Sequence, residues 1–196
     1  MKKKKIGLLF GSFNPVHIGH LALANYFLAF SDIEEVRFVV SPHNPLKDKD
    51  ILLPAAERLK MMTIAVEGVS GFSVSDEEFY LPKPSYTVDT LKFFSQKYPE
   101  DEFILIIGAD NLEIFDRWKA YQYILDHYKI YVYNRPGYSS HTPIAQHVNV
   151  NFFNAPLLDI SSSFIRQSLG EGKNMRFFLP EKIHQYIKEN KLYRFS

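Results

Sequence analysis

Apolar runs of strand length alternate with helical patterns along the whole chain, and that alternation leaves few folds open. The strand-like runs are 5–10, 36–41, 72–74, 103–108, 129–133 and 148–152; the helical patterns fall at 18–31, 55–66, 87–98, 112–127, 162–169 and 180–189. A strand followed by a helix, repeated, predicts an α/β fold: a doubly wound parallel sheet with helices on both faces, closed by a small C-terminal helical part. In such sheets ligands gather beyond the carboxyl ends of the strands. No internal repeat, low-complexity tract or linker interrupts the 196 residues, so a single domain over 1–196 is expected, with 136–146 its longest loop.

Composition narrows the function classes. Lys and Arg number 23 against 22 Asp and Glu, so no global basic field points to nucleic acid or to a membrane surface. The absence of Cys removes disulfides, thiolate catalysis and Cys-ligated metal centres together, and suits a cytoplasmic protein. Lys2 to Lys5 resemble the start of an export signal, but the apolar run behind them is too short. No stretch approaches the roughly 20 apolar residues of a membrane span.

The turn after the first strand carries the strongest chemical signal: Gly11-Ser12-Phe13-Asn14-Pro15-Val16-His17-Ile18-Gly19-His20. A strand that passes through a Gly/Asn/Pro turn straight into a helix presents unpaired N–H groups and a positive dipole end, an arrangement that suits phosphate. His17 and His20 are three apart and share one helical face, so two ring donors meet the same anion. Ordinary turn chemistry and half of a metal site are the competing readings; the second lacks a third ligand at suitable spacing.

Other strand ends are also chemically unusual. Ser41-Pro42-His43-Asn44-Pro45-Leu46-Lys47 follows the second strand, and Pro84-Ser85-Tyr86-Thr87-Val88-Asp89 precedes a helix that Ser85 or Thr87 is suited to cap. Gly108-Ala109-Asp110-Asn111 follows the fourth strand, and seven residues on lies Trp118, the only Trp, flanked by charge. Ser161-Ser162-Ser163 begin a helix with Arg166 one turn in, either as caps or as a second phosphate cradle. Gly-x4-Gly-Lys-Ser/Thr and Gly-x-Gly-x-x-Gly are both absent. Two anion-binding helix starts, with no triad spacing and no evident carboxylate pair, suit positioning of phosphates better than covalent catalysis.

The Gly11–His20 motif resembles the signature of the nucleotidyltransferase superfamily. Taken with 42–47, 85–91, 107–112, Trp118, 134–137 and 160–166, in that order, the chain resembles bacterial nicotinate-nucleotide adenylyltransferases over nearly its whole length. The resemblance implies a Rossmann-like fold and adenylyl transfer from ATP to nicotinic acid mononucleotide, giving deamido-NAD and pyrophosphate. By position it makes His17, His20 and Arg166 catalytic. It assigns ATP to Gly11, Ser12, Phe13, His17, His20, Gly108, Asp110, Ser161, Ser162 and Arg166. The acceptor falls to Asn44, Lys47, Ser85, Thr87, Trp118, Lys119 and Arg135. Mg2+ is expected to arrive with ATP rather than at a protein metal site. The two small molecules are the expected partners, and a homo-oligomer is compatible with the sequence. Asn14 stands where many relatives carry Asp, and Lys119 where many carry Tyr. Transfer to phosphopantetheine, cytidylyl transfer, and nucleotide binding without turnover are the alternatives.

Overall fold

The computed structural model describes residues 2–42, 52–135, 137–138 and 143–193. Its strands are β1 Lys4–Gly11, β2 Glu35–Val40, β3 Phe72–Ser75, β4 Asp101–Gly108, β5 Lys129–Tyr133 and β6 Val150–Phe153. They form one sheet in the order β3-β2-β1-β4-β5-β6, and every neighbouring pair is parallel. The helices are α1 Ile18–Phe30, α2 Ala55–Val66, α3 Thr87–Lys97, α4 Ala109–Glu113, α5 Tyr121–His127, α6 Ser162–Gly170 and α7 Glu181–Glu189.

The central strands read as continuous apolar runs because both their faces are covered. Successive side chains point to opposite faces, so Leu9, Ile104 and Ile106 join one apolar layer while Leu8, Leu105 and Ile107 join the other. The first layer is covered by α1, α2, α6 and α7 through Phe27, Met61, Ile165 and Ile183. The second is covered by α3, α4 and α5 through Leu91, Leu112 and Ile124. The C-terminal helices therefore join the α1/α2 face.

Between β1 and β4 the chain reverses its direction of travel across the sheet. The helix after β1 packs on one face and the helix after β4 on the other, so the carboxyl ends of these neighbours open a crevice. No helix among the described residues is long and apolar enough to cross a membrane.

The single helix expected over 112–127 is instead broken into α4, a 3-10 turn at Phe115–Arg117, and α5, with Ala120 in the left-handed region at φ 50°. A continuous helix would bring Lys119 and Gln122 onto the stripe defined by Leu112 and Phe115. The break re-phases the chain so that Ile124 and Leu125 reach the core, and it leaves Trp118 extended against Phe115, with ring centroids 5.0 Å apart.

Candidate active site

Backbone geometry builds the anion site from Gly11 to His20. Phe13 is left-handed at φ 45°, which folds the turn back on itself, and His17 is the extended residue that caps α1. The His17 N–H donates to His20 Nδ1 at 3.2 Å. A neutral His20 therefore carries its proton on Nε2, the outer nitrogen. The two imidazoles stack with centroids 3.7 Å apart, as their three-residue spacing predicts. Gly19 makes room for this, since a Cβ there would lie 3.0 Å from His17 Nδ1.

His17 is 5% exposed, and burial followed by the positive charge of Arg135 holds its pKa down to about 4. It is a neutral ring at physiological pH.

The start of α6 docks on this turn. Ser162 Oγ donates to the Pro15 carbonyl at 2.9 Å, and Arg166 Nη1 donates to the Asn14 carbonyl at 2.9 Å. Arg166 Nη2 reaches Ser163 Oγ at 3.2 Å, and Ser161 Oγ caps the helix by accepting the Phe164 N–H at 3.1 Å. The two helix starts singled out in the sequence are thus brought together, with part of Arg166 committed to the turn.

The third wall comes from β4 and β5. Asp110 Oδ1 pairs with Arg135 Nε at 3.4 Å, and Arg135 also donates to the Tyr133 hydroxyl at 3.1 Å. A Cβ at Gly108 would run into the Asp110 carboxylate and come within 3.0 Å of Arg135 Nε, so both side chains lie directly against the glycine.

Buried polar atoms are ordinarily hydrogen-bonded, and those that are not call for an explanation. Ser12 Oγ, His17 Nδ1, Asn134 Oδ1 and Arg166 Nε are buried with no hydrogen-bond partner among the described residues, and Asp110 Oδ1 is buried with only the long ion pair to Arg135. They come from the three segments that line the crevice.

A second cluster forms where α3 meets the Trp118 segment. Lys119 Nζ pairs with Asp89 at 2.8 Å and sits 4.6 Å from the centre of the Tyr86 ring, joining the start of α3 to the segment that carries Trp118. Tyr86 occupies the N-cap position without a side-chain bond, so neither Ser85 nor Thr87 takes the capping role their sequence position suggested. Lys119 is engaged by Asp89 and Tyr86, not held free. Asn44, Lys47 and Pro136 lie outside the described residues.

Three structural contributors had no clear sequence signal. Arg58 is buried behind the Ser12 turn, and Tyr193 donates to Asn14 Oδ1 at 2.8 Å from 179 positions away. The Leu53 N–H gives that oxygen a second bond at 3.3 Å. Glu78 is buried, accepts from Thr90 at 2.8 Å, and interacts with Ser41 and Ser85, tying the second cluster to the β2 end. Burial raises its pKa. A charged residue in an acidic stretch, Asp76-Glu77-Glu78, reads as solvated surface from sequence alone.

A fold of this topology with a crevice lined by unpaired polar atoms at its switch point defines a class, and the family model described as cytidylyltransferase-like matches residues 8–168. A protein of Bacteroides fragilis is 49% identical over 190 residues, covering 95% of this chain and 92% of its own length. One of Flavobacterium johnsoniae is 45% identical over 191 residues, covering 97% and 99%. Each is named a probable nicotinate-nucleotide adenylyltransferase. The fold is also that of a Plasmodium falciparum nicotinic acid mononucleotide adenylyltransferase solved with NaAD, at TM-score 0.81, 21% identity and 98% coverage of both chains. The chain belongs to the nicotinate-nucleotide adenylyltransferase family.

Proposed function

We propose that the protein transfers the adenylyl group of ATP to nicotinic acid mononucleotide. The observation that carries this reading is the convergence of orphaned polar atoms, Ser12 Oγ, His17 Nδ1 and Arg166 Nε above all, on the crevice at the start of α1. A polyphosphate satisfies such donors at once.

The reaction needs no covalent attachment to protein. An oxygen of the acceptor's own phosphate attacks the α-phosphorus, the bond from that phosphorus to the β-phosphate bridge breaks, and pyrophosphate leaves. The nucleophile is already anionic, so no general base is required. Charge grows on the α-phosphate and the departing pyrophosphate, and positioned donors lower the barrier there. His20 Nε2–H, the N–H groups of the Ser12–Phe13 turn and the start of α1 supply donors. Arg166 supplies charge and its free Nε–H. The start of α6, with Ser161 as its cap and Ser162 as its anchor, closes the triphosphate side. Gly11 lets the Phe13 ring, and Gly108 the Asp110 and Arg135 side chains, close over the strand ends; Asp110 faces the adenosine, and Arg135 stands between nucleotide and acceptor phosphate. Ser85, Thr87, Trp118 and Lys119 receive the pyridine end, with Trp118 as the stacking ring.

Mg2+ belongs to this reading as the ion that accompanies ATP. Among the described residues no group of three or more His, Cys, Asp or Glu is assembled to hold a metal. The donor set therefore fits an ion ligated chiefly by phosphate oxygens and water, neutralising charge on the triphosphate. Asp110 is the carboxylate on the adenosine side of the crevice, and Arg135 already restrains it.

The test is release of pyrophosphate from ATP and Mg2+ with each acceptor in turn. Nicotinic acid mononucleotide should support turnover, the nicotinamide form less, and phosphopantetheine none. Chelation of the divalent ion should abolish release. No release with any acceptor would leave only a nucleotide-binding module.

A further inference from the structure

Arg58, in the first turns of α2, is 1% exposed, and among the described residues its hydrogen bonds run to backbone carbonyls. Nε donates to Leu53 at 3.0 Å, Nη1 to Ser12 at 2.6 Å and to Ser41 at 2.8 Å, and Nη2 to Pro42 at 2.9 Å. Among the described residues no carboxylate pairs with it. Burying a guanidinium against neutral acceptors alone is costly, and a clamp between loops does not need a full charge.

The Ser12 bond shows what the charge accomplishes. The Ser12–Phe13 peptide is not among the cis bonds of the chain, and in a planar trans peptide the N–H points opposite to the C=O. Drawing the Ser12 carbonyl back to Arg58 therefore turns the Phe13 N–H the other way, and that N–H has no acceptor among the described residues. Arg166 takes the Asn14 carbonyl in the same manner. Two carbonyl oxygens that would repel an anion are thus occupied by guanidinium groups.

We propose that Arg58 is a positioning residue for adenylyl transfer: by holding the Ser12 carbonyl it presents the Phe13 N–H to the phosphates of ATP. Arg58 itself does not touch substrate. The inference rests on the assignment of the Gly11–His20 turn to ATP phosphates.

Arg58→Lys keeps the charge but loses the fork that reaches four carbonyls. In the folded variant the Kd for ATP, read by calorimetry, should rise about tenfold or more, while the KM for nicotinic acid mononucleotide stays within about threefold. An ATP Kd unchanged in folded Arg58→Lys, or an equal rise in both constants, would overturn the proposal and leave Arg58 a structural clamp. A second measurement needs no variant: in the wild-type protein the Phe13 amide resonance should shift on titration with ATP. A silent Phe13 amide overturns the proposal even if Arg58→Lys does not fold. Should wild-type protein bind ATP through Phe13 yet release no pyrophosphate with any acceptor, the assigned reaction fails while Arg58 keeps its place in nucleotide binding.

Discussion

His17 and His20 differ in what they contribute, although their rings stack. His17 is buried and its pKa lies near 4, so charging it opposes the fold. The unfolded chain takes up that proton near 6.5, the native state only near 4; between these values the unfolded state binds more protons, and stability falls as pH falls. The interval corresponds to roughly 3 kcal/mol at about 1.4 kcal/mol per pH unit. Glu78, whose pKa burial raises, acts in the opposite sense, so the comparison is between variants and not between pH values alone. His17→Gln should lose much less stability than the wild type between pH 7 and pH 4.5 in urea titrations; parallel losses would remove His17 from the balance. His20 is less buried than His17 and accepts the His17 N–H at Nδ1. His20→Ala should lower turnover by about 10²-fold, the scale of one lost charge-stabilising donor, with the fold intact by circular dichroism. Near-normal turnover would refute the role.

Whole elements are tied to the Gly11–His20 turn through single side chains. Arg166 links α6 to the Asn14 carbonyl and keeps Nε free, so its loss acts on both the docking of α6 and the grip on ATP. Arg166→Ala should raise the KM for ATP about 10- to 100-fold, matching the roughly 1.5–3 kcal/mol of a hydrogen bond from a charged group, and leave the acceptor's KM within about threefold. The reverse pattern would move Arg166 to the acceptor. Element positions were legible because periodicity carries them: α2 spans Ala55–Val66 as the pattern over 55–66 indicates, and β5 spans Lys129–Tyr133 likewise. The helix over 112–127 failed because a local pattern cannot show that Lys119 and Gln122 would face the core. Motif residues His17, His20, Ser162 and Arg166 were also legible, since a turn and its helix starts are local. Arg58, Glu78 and Tyr193 were not. Their partners lie as far as 12 to 179 positions away, and nothing in their flanking residues distinguishes them from solvated charge or a terminal aromatic.

At the scale of the molecule, the site draws on segments from both faces of the sheet. The turn after β1 leads into the α1 face, Asp110 belongs to the face covered by α4, and α6 returns from far along the chain to meet them. No single segment holds the orphaned donors in the unfolded chain, so on the proposed reading ATP should bind the native state alone and stabilise it through linkage. At a hundredfold excess over Kd the gain is about 2.7 kcal/mol. For a domain of this size each kcal/mol moves Tm by roughly 2–4 °C, so ATP should raise Tm by about 5–11 °C. Arg166→Ala, tested at the same ATP concentration, should show a much smaller rise from its own starting Tm, because a tenfold weaker Kd removes about 1.4 kcal/mol of linkage. Nicotinic acid mononucleotide alone should also raise Tm, through the Trp118 and Thr87 cluster, and Arg166→Ala should not diminish that rise. A wild-type Tm indifferent to saturating ATP would mean that the crevice between β1 and β4 does not receive the nucleotide. Equal loss of both ligand-induced rises in Arg166→Ala would instead mean that α6 docking holds the two clusters as one unit.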